Sequence, residues 1–423
     1  MHQILRIIST LVIGTLVAKH LGPSQYGILN YVIAFTIFFQ SISKLGLDDL
    51  IVKELVNKPN EYLAYLGTSF WLKITGSLIS IGLLYITLIL TSISWPTNFY
   101  ILILAMGMFF QSFDVVESYF KSKVLAKITS ICKIIQLAFS SIIKIYLILF
   151  EAELYMFLLV MLFDALCLSV TYFIAYRINR NLIFFRFFDF SIAKELLKYS
   201  WPLIFAGILA QIYMHIDQII IKEILDENNL GIYSAAVRLS GAFYFIPVLI
   251  SSSLFPAIIS AKRQNELIYK NRVQNLYTLM IWTSIPLILL ISLFSDWIIN
   301  ILFGSEYLDA IPILIIHIWS YIFVCLGVVS TNWFISENLQ KYQLINTGIG
   351  AVLNILLNIV FLKNYGLIGA AYSTVISYGI ASYLLNIIWK PTRPHFLTQS
   401  KSFINFNIFN EINIQKIFIK KKY

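Results

Sequence analysis

Lysine residues fall inside stretches of the chain that are otherwise apolar. Around Ala138, Lys133 and Lys144 are separated by Gln136 and Ser140, and the four side chains follow at i, i+3, i+7 and i+11. This spacing places them on one face of an α-helix. Charged groups within apolar segments normally face water or a partner. The face therefore predicts either a hydrated path with an anionic ligand or contacts with polar groups of neighbouring helices.

Other apolar stretches carry similar groups. Asp217 lies about 200° around a helix axis from His215, so the two cannot share a face. We expect Asp217 to pair with a cation on another helix, and Arg238 is the candidate partner. The predicted substrate-binding cations are Arg6, Lys133, Lys144 and Arg238. The predicted polar or ion-coupling side chains are Gln136, Asp114, Asp164, His215 and Asp217.

The composition indicates that these side chains lie in membrane-spanning helices. The chain has 423 residues, of which 59% are hydrophobic and 12% charged, and its mean hydropathy is +0.80. Soluble domains carry about 25% charged residues. Segments such as "YILILAMGMFF" do not alternate polar and apolar residues as barrel strands do. The sequence therefore predicts an all-α integral membrane protein.

The apolar segments predict about twelve spans. Their centres lie near Ile13, Phe35, Ile79, Met106, Ala138, Leu162, Leu209, Ile246, Leu287, Tyr321, Leu353 and Tyr378. Of the 31 lysine and arginine residues, 23 fall in one alternating set of loops together with the carboxyl tail, and 3 fall in the other set. This asymmetry predicts that both termini are cytoplasmic. The basic residues behind the net charge of +10 thus lie along one predicted membrane surface, and the charge does not indicate nucleic-acid binding.

A weak internal repeat suggests how the spans are grouped. "LGPSQYGIL" (21–29) is loosely repeated by "LDENNLGIY" (225–233), 204 residues later, and both contain Gly-Ile. We expect Gly27 and Gly231 to supply the backbone freedom of two equivalent tight turns. The repeat predicts two six-helix bundles around a central cavity. The predicted regions are the first bundle (1–176), a basic cytoplasmic linker with an amphipathic helix (177–199), the second bundle (200–389) and a basic cytoplasmic tail (390–423).

Six stretches occur in a distinctive order and spacing: "LRIISTLVIGTLVAKHLGPSQYGILNY", "LGLDDLIVKEL", "QSFDVVESYF", "KYSWPLIFAGILAQIYMHIDQIII", "LGIYSAAVRLS" and "SSLFPAI". Together they resemble the polysaccharide-transporter flippases that export O-antigen units. This family belongs to a superfamily with the multidrug and toxin extruders and the lipid II flippase. The resemblance covers about residues 4–390. Members of the family usually carry more residues before the first span, so we expect a truncated or shortened amino terminus here.

The resemblance implies a flippase of the bacterial inner membrane. It would move a polyprenyl-diphosphate-linked oligosaccharide, such as an O-antigen or capsule repeat unit, to the outer leaflet by alternating access. Contacts with membrane lipids and with polysaccharide polymerase and chain-length machinery are further expectations. The driving force stays open between the membrane potential and coupling to H⁺ or Na⁺ through Asp164 or Asp217.

Two other classes compete with this reading. Asp114, Asp164 and Asp217 keep open a cation-coupled multidrug extruder of the same superfamily. A membrane enzyme such as a polymerase is the third class, but its chemistry would need larger loops outside the membrane. The sequence contains neither a Walker loop nor GxGxxG, and its three cysteines form no metal-binding spacing. We therefore expect a protein that is not an enzyme and that carries no cofactor or metal.

Overall fold

The computed structural model describes the backbone of residues 2–91, 93–179 and 182–404, and the side chains of these ranges from residue 9 onward. Regular structure there is α-helix with short 3-10 turns, as the composition predicted. Two compact units are formed, Met1–Ser234 and Ala235–Tyr423. The first contains α1 (His2–Ser43), α2 (Asp48–Asn57), α3 (Tyr62–Thr91), α4 (Thr97–Phe110), α5 (Asp114–Ser122), α6 (Ala126–Leu149), α7 (Leu154–Ile178) and α8 (Phe190–Ile224), and α9 (Glu227–Gly241) begins in it. The second continues with α10 (Phe245–Gln264), α11 (Glu266–Leu293), α12 (Ser295–Leu302), α13 (Ala310–His317), α14 (Ser320–Ser336), α15 (Gln340–Tyr365), α16 (Leu367–Ser382) and α17 (Arg393–Ile404).

Eleven helical segments of the described chain are long and apolar enough to cross a membrane. The twelve predicted centres fall one in each of ten segments and two in the first, Ser9–Asn57. That segment contains α1, whose 42 residues are interrupted at Gly22, where φ is 69° and ψ is 169°. A helix of this length would rise about 63 Å, twice the hydrocarbon thickness. The break therefore separates two spans.

Contacts within the first unit establish that the chain reverses at this break. Before it, Ser9 bonds to Ser141 and His20 bonds to the carbonyl of Ala152, so the chain ascends along α6. After it, the Tyr31 hydroxyl donates to Glu223 at 2.9 Å near the end of α8, whereas Gly46 packs earlier in that helix, against Ser200 and Ile204. Helices α6 and α8 both begin beside α2 and α5, because α6 follows α5 and Glu195 of α8 pairs with Lys58 after α2. They therefore run in the same direction, and the two parts of α1 are antiparallel.

The two repeated glycines lie inside helices, so their predicted role in turns is wrong. A methyl group built at Gly27 would lie 1.8 Å from the carbonyl oxygen of Glu227, and one at Gly231 would lie 1.8 Å from that of Pro23. Each glycine thus faces the backbone four residues before the other. The contact is reciprocal at the same offset of 204 residues, which supports the equivalence of the two copies. The residue with positive φ that makes the turn is Gly22.

Basic loops gather at the opposite end of the first unit. The surface helix α2 buries Ile51 and Leu55 among the side chains packed there, and it contacts α5. Lys58, which follows α2, pairs with Glu195 of α8 at 3.3 Å. We call this end, where α1 gives way to α2 and α8 begins, the basic end of the unit.

The linker between α7 and α8 is anchored to the basic end. A methyl group at Gly67 of α3 would lie 1.9 Å from the carbonyl oxygen of Phe187, so only glycine admits the linker backbone. Phe184 is fully buried among aromatic rings. Asp189 then caps α8 by accepting from the amide of Ser191 at 2.7 Å. The predicted amphipathic stretch forms the first turns of α8, continuous with the following span.

In the second unit, buried amides join neighbouring helices. Asn354 of α15 donates to Ser377 of α16 at 3.0 Å, and Asn346 donates to Asn386 at 3.1 Å. All four side chains are buried. These bonds satisfy polar groups within an apolar bundle and hold α15 against α16 and the turn that follows it.

Helix α17 packs with its polar face inward. His395, Gln399 and Ser402 are at most 1% exposed, whereas Leu397 and Ile404 on the opposite side are 57% and 79% exposed. Gln399 donates to the hydroxyl of Ser330 on α14 at 3.0 Å. Helix α17 therefore docks on the second unit through hydrogen bonds rather than through an apolar stripe.

Candidate functional site

The candidate site is built on the polar face of α6. Lys133 donates to Oε1 of Glu117 on α5 at 2.7 Å. The same oxygen lies 3.0 Å from the ammonium group of Lys121, and Oε2 accepts from the hydroxyl of Tyr172 on α7 at 2.8 Å. Both oxygens of Glu117 are thus satisfied. The cluster of two lysines and one glutamate keeps a net positive charge, and Lys121 is half-exposed at the basic end.

A second ion pair lies three helical turns further along α6. Lys144 is 3.2 Å from Oδ2 of Asp164 on α7, and this oxygen also accepts from Ser140 at 2.8 Å. Lys144 donates to Ser140 at 2.8 Å. The other oxygen, Oδ1 of Asp164, is buried and has no hydrogen-bond partner among the described residues. This pair is electrically neutral as a whole.

The predicted polar face therefore exists, and it points towards α5 and α7. Each ammonium group is held by a carboxylate, and the side chains of Lys133 and Lys144 are 24% and 22% exposed. Eleven residues separate them, which is about 16 Å of helix rise. Gln136 lies between them and is half-buried. Arg6, the third predicted cation of the first bundle, falls outside the residues whose side chains are described.

Asp114 stands at a break in the fourth predicted span. Helix α4 ends at Phe110, a 3-10 turn covers Gln111–Phe113, and Asp114 opens α5. Its side chain is half-buried. The hydroxyl of Ser112 in this turn is buried without a hydrogen-bond partner among the described residues. The turn thus brings polar groups to the middle of an apolar span, where no pattern in the sequence predicted a break.

The structure gives Asp217 partners other than the predicted cation. Its Oδ2 accepts from the hydroxyl of Tyr233, and its Oδ1 accepts from the amide of Gln218 at 2.8 Å. The prediction of a charged partner missed that a hydroxyl and an amide can satisfy a buried carboxyl group. His215 is half-buried on α8, and Arg238 is half-buried near the end of α9. Their roles in ion coupling and substrate binding stay predictions.

Two residues of the site were not recognised as parts of it. Neither Glu117 nor Tyr172 is among the residues that the sequence predicted for the site. Both are needed to hold Lys133, because Glu117 is its partner and Tyr172 orients Glu117. The i,i+4 spacing of Glu117 and Lys121 was the only local hint.

The chemistry of the site is recognition of charge. The Lys133 cluster offers ammonium groups to an anion, and the Lys144 pair offers one ammonium group that is already matched by a carboxylate. Within the range of described side chains, no group of three or more His, Cys, Asp or Glu is placed to hold a metal ion. The arrangement suits binding of a phosphorylated ligand through ammonium groups.

Solved structures share this architecture. A multidrug resistance MATE family transporter in its inward-facing conformation matches with a TM-score of 0.76 at 15% identity, over 94% of this chain and 96% of that one. The lipid II flippase MurJ in an inward closed conformation matches with a TM-score of 0.73 at 19% identity, over 100% of this chain and 93% of that one. The chain is therefore a multi-pass membrane protein with the helical fold of these transporters.

Sequence comparisons then give the family. The family described as polysaccharide biosynthesis protein matches residues 16–312, and the chain belongs to it. A probable low-salt glycan biosynthesis flippase, Agl15, of Haloferax volcanii is 28% identical over 198 residues, 46% of this chain and 42% of that protein. A putative O-antigen transporter of Shigella flexneri is 24% identical over 207 residues, 49% of each chain. The matches thus span about half the length of these relatives. The resemblance seen in the sequence is confirmed, and these relatives are named for transport rather than catalysis.

Proposed function

We propose that this protein is a flippase that moves a polyprenyl-diphosphate-linked oligosaccharide, such as an O-antigen or capsule repeat unit, across the bacterial inner membrane. The direction is from the cytoplasmic to the outer leaflet, and both termini are cytoplasmic. The relatives named as a glycan flippase and an O-antigen transporter support this substrate class.

The observation that carries the proposal is the polar face of α6. The charged head of such a lipid is a diphosphate, which ammonium groups bind well. Lys133 and Lys121 share a single carboxylate, so their cluster attracts an anion. The apolar polyprenyl chain can stay in the bilayer, whereas the sugars need the hydrated path that a partly exposed polar face offers. Alternating access then presents this face to each leaflet in turn.

The energy source follows from the charge of the substrate. With the cytoplasm negative, outward movement of one negative charge gains about 2.3 kcal/mol per 100 mV. The membrane potential alone can therefore favour export of a diphosphate. Coupling to H⁺ or Na⁺ through Asp164 or Asp217 is the alternative energy source.

The test uses a bacterial host that lacks its own flippase and makes a lipid-linked glycan. Replacing both Lys133 and Lys144 by Ala removes the cations of the α6 face, so surface polysaccharide should fall at least about tenfold while the protein still inserts in the membrane. The double variant is compared with Lys127→Ala, because Lys127 lies on the same helix but is exposed at its basic end. Lys127→Ala should retain export.

Near-normal surface polysaccharide in the double variant rejects the assignment of the α6 lysines. Export that fails equally with Lys127→Ala also rejects it, because the loss would then reflect a general effect of removing lysine. A multidrug extruder, the competing function, predicts that the host becomes sensitive to organic cations when the protein is lost, with no change in surface glycan.

A further inference from the structure

The two ion pairs of α6 differ in how well their carboxylates are satisfied. Glu117 receives donors on both oxygens, two of them from lysine and one from Tyr172. Asp164 receives both of its donors on Oδ2, while Oδ1 is buried without a partner among the described residues. A buried carboxylate oxygen without a donor is energetically costly. Lys144 is therefore the one charged neighbour that contacts the Asp164 carboxylate among the described residues.

Among the residues whose side chains are described, no other charged group forms an ion pair with Asp164. Asp164 lies on α7, and the helices packed against α7 are chiefly α6, α4, α5 and α1. Helix α4 carries no charged residue, and the described part of α1 carries only Lys19 and His20, near the end opposite the basic one. On α5, Glu117 binds Lys133, Lys121 and Tyr172 further along α7 towards the basic end, and Asp114 opens the helix without an ion pair to Asp164. Lys144 on α6 is the cation in contact with Asp164.

We propose that binding of the phosphate charge to Lys144 is coupled to the uptake of one proton by Asp164. The inference rests on the proposed flippase function and names how this part of its site works. When a phosphate takes the ammonium group of Lys144, Asp164 loses its cation and keeps only the hydroxyl of Ser140 as a donor. A proton from water then neutralises the carboxylate at Oδ1, and no covalent bond to the ligand is formed.

Helix α6 thus carries two anion-binding positions. We call the cluster of Lys121, Lys133 and Glu117 the first station, and the pair of Lys144 and Asp164 the second station. The cluster of Lys121, Lys133 and Glu117 is already positive, so it binds an anion without a proton. The pair of Lys144 and Asp164 is neutral and becomes positive only when Asp164 is protonated. When a diphosphate moves about 16 Å along the helix from the first station to the second, Asp164 must therefore bind a proton. Proton and phosphate bind cooperatively at the second station, and this linkage is reciprocal.

The test measures protons taken up on binding. The probe is a short-chain polyprenyl diphosphosugar, whose diester phosphates stay ionised across the pH range used. The purified full chain in lipid nanodiscs is titrated calorimetrically near pH 7 in buffers of different ionisation enthalpy. The expected uptake is about one proton per bound probe, and the dissociation constant should rise by up to about tenfold per pH unit wherever binding takes up that proton.

Asp164→Asn is the decisive variant, and Glu117→Gln is its matched control. Asp164→Asn should bind the probe with no proton uptake and with an affinity independent of pH, because its side chain cannot ionise. Glu117→Gln should still take up about one proton, since it alters the first station only. Lys144→Gln should also abolish uptake, which keeps the test available if Asp164→Asn does not fold. Monodisperse elution in detergent checks folding.

Proton uptake that persists in Asp164→Asn or in Lys144→Gln overturns the inference and leaves the flippase function standing. Uptake lost equally in Glu117→Gln also overturns it, because the linkage would then belong to the whole face. Failure of the proposed function has a different signature, since the wild-type chain would then neither bind the probe nor restore surface glycan.

Discussion

His395 is a titratable side chain held among neutral polar groups. Its Nε2 lies 2.9 Å from the hydroxyl of Tyr277, and its ring stacks on Trp333 with a centroid separation of 4.1 Å. Burial lowers the pKa of His395 to about 3, because water that would solvate the cation is excluded. In the unfolded chain the ordinary pKa is 6.5. The folded protein thus keeps this histidine neutral where the unfolded chain binds a proton.

This difference predicts how stability changes with pH. A histidine whose pKa is lowered by folding contributes stability that is full above 6.5 and is lost as the pH falls from 6.5 towards 3. Between pH 7 and about 5, the contribution of His395 to the free energy of unfolding should fall by about 2 kcal/mol. His395→Gln cannot titrate, so its loss between the same pH values should be smaller by that amount. Denaturant unfolding in detergent measures both, and equal losses in the two proteins would contradict the assignment.

At the scale of the elements, the close contact between α1 and α9 requires glycine at two positions. Gly27 and Gly231 each face a backbone carbonyl at a distance that no side chain can occupy. Alanine at either position must push the helices apart, and such overpacking costs about 1–3 kcal/mol or more. Gly82 of α3 provides the control, since a methyl group there meets nothing within 4 Å. Gly82→Ala should be neutral or stabilising by up to about 1 kcal/mol, the helix propensity difference.

Thermal unfolding in detergent measures these three variants side by side. Gly27→Ala and Gly231→Ala should each lower the melting temperature, and by similar amounts because their contacts are reciprocal. A Gly27→Ala variant as stable as Gly82→Ala would mean that the helices can separate freely at this point, and the close contact would lose its structural role.

Sequence patterns predicted elements better than the contacts between them. Periodicity correctly placed Lys133 and Lys144 on one helix face, because the period of an α-helix is local. Their partners are 16 and 20 residues away and Tyr172 lies 55 residues from Glu117, so register between helices, which periodicity does not encode, decides the pairing. The repeat was found, but glycine serves both turns and close contacts, and only packing distinguishes the two.

At the scale of the whole molecule, the number of spans and the distribution of charge must agree. Counting α1 as two spans gives an even number of candidate spans among the described helices, as the predicted placement of both termini on one side of the membrane requires. Treating α1 as one long span would make the number odd and would place the amino terminus on the side opposite the basic loops, whose own alternation would not change. The break at Gly22 therefore decides the predicted side of the amino terminus.

Cysteine labelling in intact cells tests this topology. Gln25→Cys lies at the turn of α1 and Glu151→Cys follows α6, so a membrane-impermeant maleimide should label both from outside. Lys127→Cys and Lys401→Cys lie in the basic set and should react only after the cells are permeabilised. All four positions are exposed. The background variant replaces the native Cys132, Cys167 and Cys325 by Ala.

Labelling of Lys127→Cys from outside would show that the protein has the opposite orientation in the membrane. Protection of Gln25→Cys beside a labelled Glu151→Cys would contradict the reversal of α1, because the two residues would no longer share a membrane face.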